Sequence, residues 1–196
     1  FVYLQNVSPN QIHMPNHIAN ILVIGGVSEA RLAEIKAAIA GVGVPSFDPE
    51  PVTEEPPQID LIDFNKIIPM PPSLAVISSS IGDQGLAQLH PELSKYAFYT
   101  GAEGQRRWDS LDEDTKAEGL RLGEIYYNNI TQHGATTWFD WCYDNWNTKW
   151  GAYDIAVDGN RFEFNTANGA PIPVIVKLSE MFLSLIHISE PTRPER

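Results

Sequence analysis

Trp138-Phe139-Asp140-Trp141-Cys142-Tyr143-Asp144-Asn145-Trp146-Asn147-Thr148-Lys149-Trp150 gathers four of the protein's five tryptophans. Thr136 or Thr137 can cap a helix that begins there. At helical spacing Trp138, Trp141, Cys142 and Asn145 share one face, and Phe139 and Tyr143 lie on another. A helix apolar nearly all round is usually buried on several sides, so most of these rings are expected to build a core. Lys149 and Trp150 follow the helix and are the expected exposed pair.

Downstream, Ala152 to Val157 and Asn160 to Thr166 read as a hairpin turning at Asp158-Gly159. That register sets Ile155 opposite Phe162, Tyr153 opposite Phe164 and Asp154 opposite Glu163. The last pairing of like charges needs solvent or a cation. Pro171 and Pro173 then open a final helix with Val174, Ile175, Leu178 and Met181 as its apolar stripe. Upstream, Ser110 with Glu113 forms a capping-box signature for a helix from about Leu111 to Gln132, stopped by Gly134. Ser73 to Arg107 is broken by Gly82, Gly85, Pro91, Gly101 and Gly104 into short pieces. It reads as part of a helical insertion covering about 73–146.

Nearer the start, Ile18 to Ile24 is β-rich and ends at Gly25-Gly26, and Ser28 can cap a helix carrying Leu32, Ile35 and Ile39. Gly41 and Gly43 close that helix. Val44 to Gln58 is Pro-rich and acidic and reads as a solvated linker. A second strand is expected within Ile59 to Ile68, terminated by Pro69-Met70-Pro71-Pro72.

Both ends read differently from the middle. Leu183-Ser184-Leu185-Ile186-His187-Ile188-Ser189-Glu190-Pro191-Thr192-Arg193 resembles the in-frame translation of a sequencing-library adapter, which makes 183–196 an artefact and the domain truncated at its C-terminus. A strand with a Pro-rich tail is the other reading. Met14-Pro15-Asn16-His17 resembles a true start, with 1–13 as upstream read-through. The domain proper is then 14–182, about right for one core.

The net charge is −12, and removing Glu190, Arg193, Glu195 and Arg196 leaves it unchanged. Such a surface repels phosphate backbones and anionic membranes. With no long apolar run and no signal peptide after Met14, the expected setting is cytoplasmic. The single cysteine excludes an internal disulfide framework and cannot alone hold an iron–sulfur cluster. No cofactor or metal is indicated.

Four stretches carry a family resemblance: Met14-Pro15-Asn16-His17, Phe64-Asn65-Lys66-Ile67-Ile68-Pro69-Met70-Pro71, the block Trp138–Asp154, and Pro171-Ile172-Pro173-Val174-Ile175 with Leu178-Ser179. In order, from Met14 to about Phe182, they are similar to the YubB-type ferredoxin-like domain of phage and plasmid proteins. The resemblance implies an α+β, βαβ-type sheet with a helical insertion, in a bacterial host, and brings no assigned reaction. It leads one to expect glycine where Asn147 stands, and asparagine tolerates left-handed backbone better than most residues. It also implies a strand after the last helix, where Leu183–Ser189 could stand in.

Candidate chemistry divides by class. His13 and His17 have the spacing of helical metal ligands, but Pro15 intervenes. Gly25-Gly26 before a helix lacks the Lys-Ser/Thr of a phosphate loop, so a turn with a cap is preferred. Asp140, Asp144, Asp154 and Glu163 could serve a metal-dependent hydrolase or nucleotide-processing enzyme, and solvated faces are the bland alternative. Cys142 near His133 could suggest a thiol nucleophile, with an inert buried thiol favoured. RNA binding would need strand aromatics and gathered Lys66, Arg106, Arg107 and Lys149. The preferred reading is a non-enzymatic module contacting a host or phage protein, with Asn65, Lys66, Lys149, Trp150 and Tyr153 as binding residues.

Overall fold

The computed structural model describes residues 2–7, 16–42, 61–96 and 101–182. The linker read at Val44–Gln58 and the tail from Leu183 lie outside them. The protein is α+β, with an antiparallel sheet whose core is shared with some of the helices.

The first strand, β1 (Val2–Val7), runs antiparallel to β2 (His17–Ile24), from Val2 opposite Ile24 to Val7 opposite Ala19. The stretch read as lying upstream of the start therefore contributes backbone to the sheet. Strand β2 carries the logic of that sheet. Asn20, Leu22 and Ile24 are buried at alternate positions while Ala19, Ile21 and Val23 are less so, the period-two pattern of a strand covered on one side. Helix α1 (Glu29–Ile39) follows, with the Ser28 hydroxyl accepting from the Arg31 amide. Ile35 and Ile39 enter the core. The Gly25-Gly26 turn therefore leads into a capped helix.

In place of the expected second strand, the backbone makes a short helix, α2 (Phe64–Ile67). Asp63, only 3% exposed, accepts from the Asn65 amide and starts a helical turn in mid-run. Phe64 and Ile67 then share one side and fill the core.

The insertion is a helical unit with its own apolar centre. Helix α3 (Ser80–Leu89) is capped by Ser79 and lies against α5 (Glu113–His133), with α4 (Gly101–Asp109) between them in sequence. Leu86, Leu122 and Tyr126 form the centre. Two of the glycines read as breaks are contact points: a Cβ on Gly82 would lie 2.6 Å from the Tyr126 ring, and one on Gly85 1.8 Å from the Gly119 carbonyl oxygen. Tyr126 donates to the Ile77 carbonyl and accepts from the Ser79 amide, and burial pushes its phenol up to about 12. Asp112, rather than Ser110, caps α5 through the Thr115 amide, and Gly134 ends it in the left-handed region.

The tryptophan helix α6 (Trp138–Trp146) is capped by Thr137. Trp141, Cys142 and Trp146 are buried beside Leu22, Phe64, Phe162 and Phe164. Asn147, at φ 60°, terminates α6, and its side chain donates to the Ala170 carbonyl at 2.9 Å. The turn expected to want glycine is thus made by asparagine in a left-handed conformation.

Strands β3 (Tyr153–Asp158) and β4 (Arg161–Ala167) form the hairpin in a different register from the one expected. The turn is Gly159-Asn160, with Asp158 opposite Arg161, Val157 opposite Phe162 and Ala156 opposite Glu163. Glycine takes the first central position at φ 56°, as a II′-type turn requires. Asn160 is tied to β2 by donating to the Ile24 carbonyl at 2.9 Å. This register exchanges the unfavourable Asp154–Glu163 pairing for Asp158 opposite Arg161. An irregularity between Tyr153 and Ala156 then moves Tyr153 opposite Asn165.

Helix α7 (Ile172–Phe182) buries Val174 and Leu178, with Ile175 packed against the core. Met181, expected on the buried stripe, is 41% exposed. The sheet order is β1-β2-β4-β3.

Candidate binding surface at the exit of the tryptophan helix

Leaving α6, the backbone is pinned before it reaches β3. The Lys149 amide donates to the Ala167 carbonyl at 3.2 Å, and the buried Thr148 hydroxyl donates to the Trp150 carbonyl at 2.6 Å. These bonds set Lys149 and Trp150 beside β4 and the start of β3. The Lys149 ammonium lies 4.7 Å from the Trp150 ring centre and 5.7 Å from that of Phe139. Both distances are within cation–π range.

Rings continue on either side. Trp150 meets Tyr153 edge-on at 6.5 Å, and Tyr153 meets His17 at 5.6 Å. The Tyr153 hydroxyl is hydrogen-bonded to His17 Nδ1. Phe139 meets Tyr143 edge-on at 5.1 Å, and Asn168 donates to the Tyr143 hydroxyl at 2.7 Å. Phe139, Tyr143, Lys149, Trp150 and Tyr153 are half-buried, and His17 is exposed. Unlike Trp141 and Trp146, these rings sit at the surface and support one another.

Desolvation, and then the Asp154 carboxylate, raise the Tyr153 phenol above its usual range. Asp154 itself has φ 52° and accepts from the Asn165 side chain at 3.1 Å. The three described non-glycine residues with positive φ, Asn147, Asp154 and Asn168, all flank this corner.

Of the residues named from sequence, Lys149, Trp150 and Tyr153 come together here. Asn65 does another job, accepting from the Met70 amide at 2.7 Å to close the turn after α2. Lys66 is exposed on that helix. Among the described residues, no hydrogen bond or ring contact joins either to the corner. His17, Phe139 and Tyr143 are not marked as binding residues by the sequence. The signal for His17 is the β2–β4 register, in which it stands opposite Ala167, the acceptor of the Lys149 amide.

The alternative acidic site is not assembled. Asp140 accepts from the Thr136 hydroxyl, Asp154 from Asn165, and Glu163 from Arg161 at 2.8 Å, while Asp144 is exposed. Among the described residues, no three of His, Cys, Asp and Glu gather as metal ligands. His133 is bonded to the Ser73 hydroxyl at 3.0 Å, and Cys142 is 1% exposed. Burial pushes that thiol up to about 12, so it stays protonated at neutral pH. We expect Ellman's reagent to label Cys142 only after denaturant unfolds the core. Rapid labelling of the native protein would contradict its burial.

No helix among the described residues is long and apolar enough to cross a membrane. The sequence matches no protein-family model and no curated protein, and the fold matches no solved structure.

Proposed function

We propose that the protein is a non-enzymatic interaction module of the phage and plasmid type, which grips a host protein in the bacterial cytoplasm through the corner around Trp150. The carrying observation is the surface placement of Phe139, Tyr143, Trp150 and Tyr153, held by one another and by fixed backbone. Rigid, partly buried aromatics are what binding hot spots are made of, because little conformational freedom is lost on contact. A net charge of −12 suits a basic partner and speeds encounter with it.

The sheet supports a ferredoxin-like assignment. After the edge strand β1, β2 and α1 precede the β3–β4 hairpin and α7, and β4 sits between β2 and β3. That is the order of a split βαβ unit, with the helical insertion placed between α1 and β3.

The test is affinity capture from nuclease-treated host lysate with the full-length protein and with Trp150→Ala. A stoichiometric protein should be retained by the native form, and its affinity should fall at least ~10-fold in the variant. Because Trp150 is only half-buried, unfolding free energy should drop by no more than about 1–2 kcal/mol. Equal capture by both proteins, or collapse of the variant, would remove the corner as the contact site.

A further inference from the structure

Lys149 is a cation in an acidic protein that has rings for partners. Among the described residues, its ammonium has no carboxylate within ion-pair distance, although seven other basic side chains do. It rests instead between Phe139 and Trp150. A cation–π contact that is still partly solvated is weak, so moving this ammonium away costs little. The walls would stay when it leaves. The Lys149 and Thr148 bonds to Ala167 and Trp150 are made without the ammonium, and Tyr143 and Tyr153 brace the two rings.

The geometry points to a cation-recognition cleft between Phe139 and Trp150 that Lys149 occupies as a placeholder and an arginine of a basic protein segment takes over. This rests on the proposed binding role of the same corner. Arginine is favoured over lysine because its planar, weakly hydrated guanidinium stacks on aromatic faces. Asp154, exposed beside Tyr153, adds negative potential at the cleft's edge. Once displaced, Lys149 can swing into solvent on its flexible stem.

The probe is a hexa-arginine peptide, titrated calorimetrically and by tryptophan fluorescence at low salt against the full-length protein. Lys149→Met should bind it about fivefold more tightly than the native protein, since the competing occupant is gone. Lys116→Met makes the same charge change on α5, where Lys116 pairs with Glu113, and should change affinity less than ~2-fold. Adding Trp150→Ala to Lys149→Met should abolish the gain. Equal tightening in Lys149→Met and Lys116→Met would reduce the effect to net charge and overturn the inference. Weaker binding in Lys149→Met would overturn it too, because removing a competing cation cannot loosen the hold on a cationic peptide. A captured protein sensitive to Trp150→Ala but indifferent to Lys149→Met would sink the placeholder and leave the interaction role standing. A peptide gain without any captured protein would do the reverse.

Discussion

Trp146→Ala should be the most damaging single change in the sheet-bearing part of the molecule, lowering unfolding free energy by about 4–5 kcal/mol. Trp146 is 1% exposed and meets Phe64 and Trp141 edge-on at 5.8 and 5.5 Å. Truncation leaves a cavity where α6, α2 and the sheet converge, and these elements can only partly collapse into it. It also removes the donor to the Ile68 carbonyl, now 3.0 Å from the indole nitrogen. A carbonyl left without a partner costs a further share. Domains of this size have roughly 5–15 kcal/mol in total, so the urea midpoint should fall by about 2 M. Trp146→Phe keeps much of the ring contact but lacks the donor, and should lose about half as much. If Trp146→Ala unfolded within ~0.5 M of the native protein, the ring would not be central to this core.

What could be read from the sequence follows how local the determining physics is. Caps are legible where one side chain and one turn decide them: Ser28, Thr137 and Gly134 act as expected, while the cap read at Ser110 falls to Asp112 two residues on. The burial of Trp141 and Cys142 follows from their shared helical face, whereas the expectation that most rings of α6 build the core does not extend to Phe139 and Tyr143, which stay half-buried. Asp63 was missed because an acidic residue inside an apolar run looks like a strand's solvent face, whereas here it is buried and starts a helix. The hairpin slipped because Asp158-Gly159 and Gly159-Asn160 are both good turn pairs. Contact between Asn160 and Ile24 separates them, and it spans 136 residues. His17 and Tyr153 are equally far apart in sequence, so only strand order joins them.

The glycines of the insertion show the same limit and make the second strong prediction. Gly85→Ala should destabilise α3 and α5 while leaving the sheet-bearing core folded. Helix propensity alone predicts the opposite, since alanine gains about 1 kcal/mol over glycine in a helix interior. Packing reverses the sign. The nearest atoms to the added methyl are the Gly119 carbonyl oxygen at 1.8 Å and its carbon at 2.3 Å, both backbone, so no side-chain rotation relieves the clash. A Cβ on Gly123 would in turn lie 2.5 Å from the Gly85 carbonyl carbon. The two helices touch along their backbones and must separate to admit a methyl, which should cost about 2–3 kcal/mol net. Because Leu86, Leu122 and Tyr126 form a cluster distinct from the one around Trp146, the loss should be local. Hydrogen exchange should accelerate in α3 and α5 and hold in β2 and β4. Gly151→Ala, where an added Cβ meets nothing within 4 Å, should be near neutral. Native or higher stability in Gly85→Ala would mean that α3 and α5 do not pack this closely. Matching exchange in β2 and β4 would mean that the two clusters unfold as one.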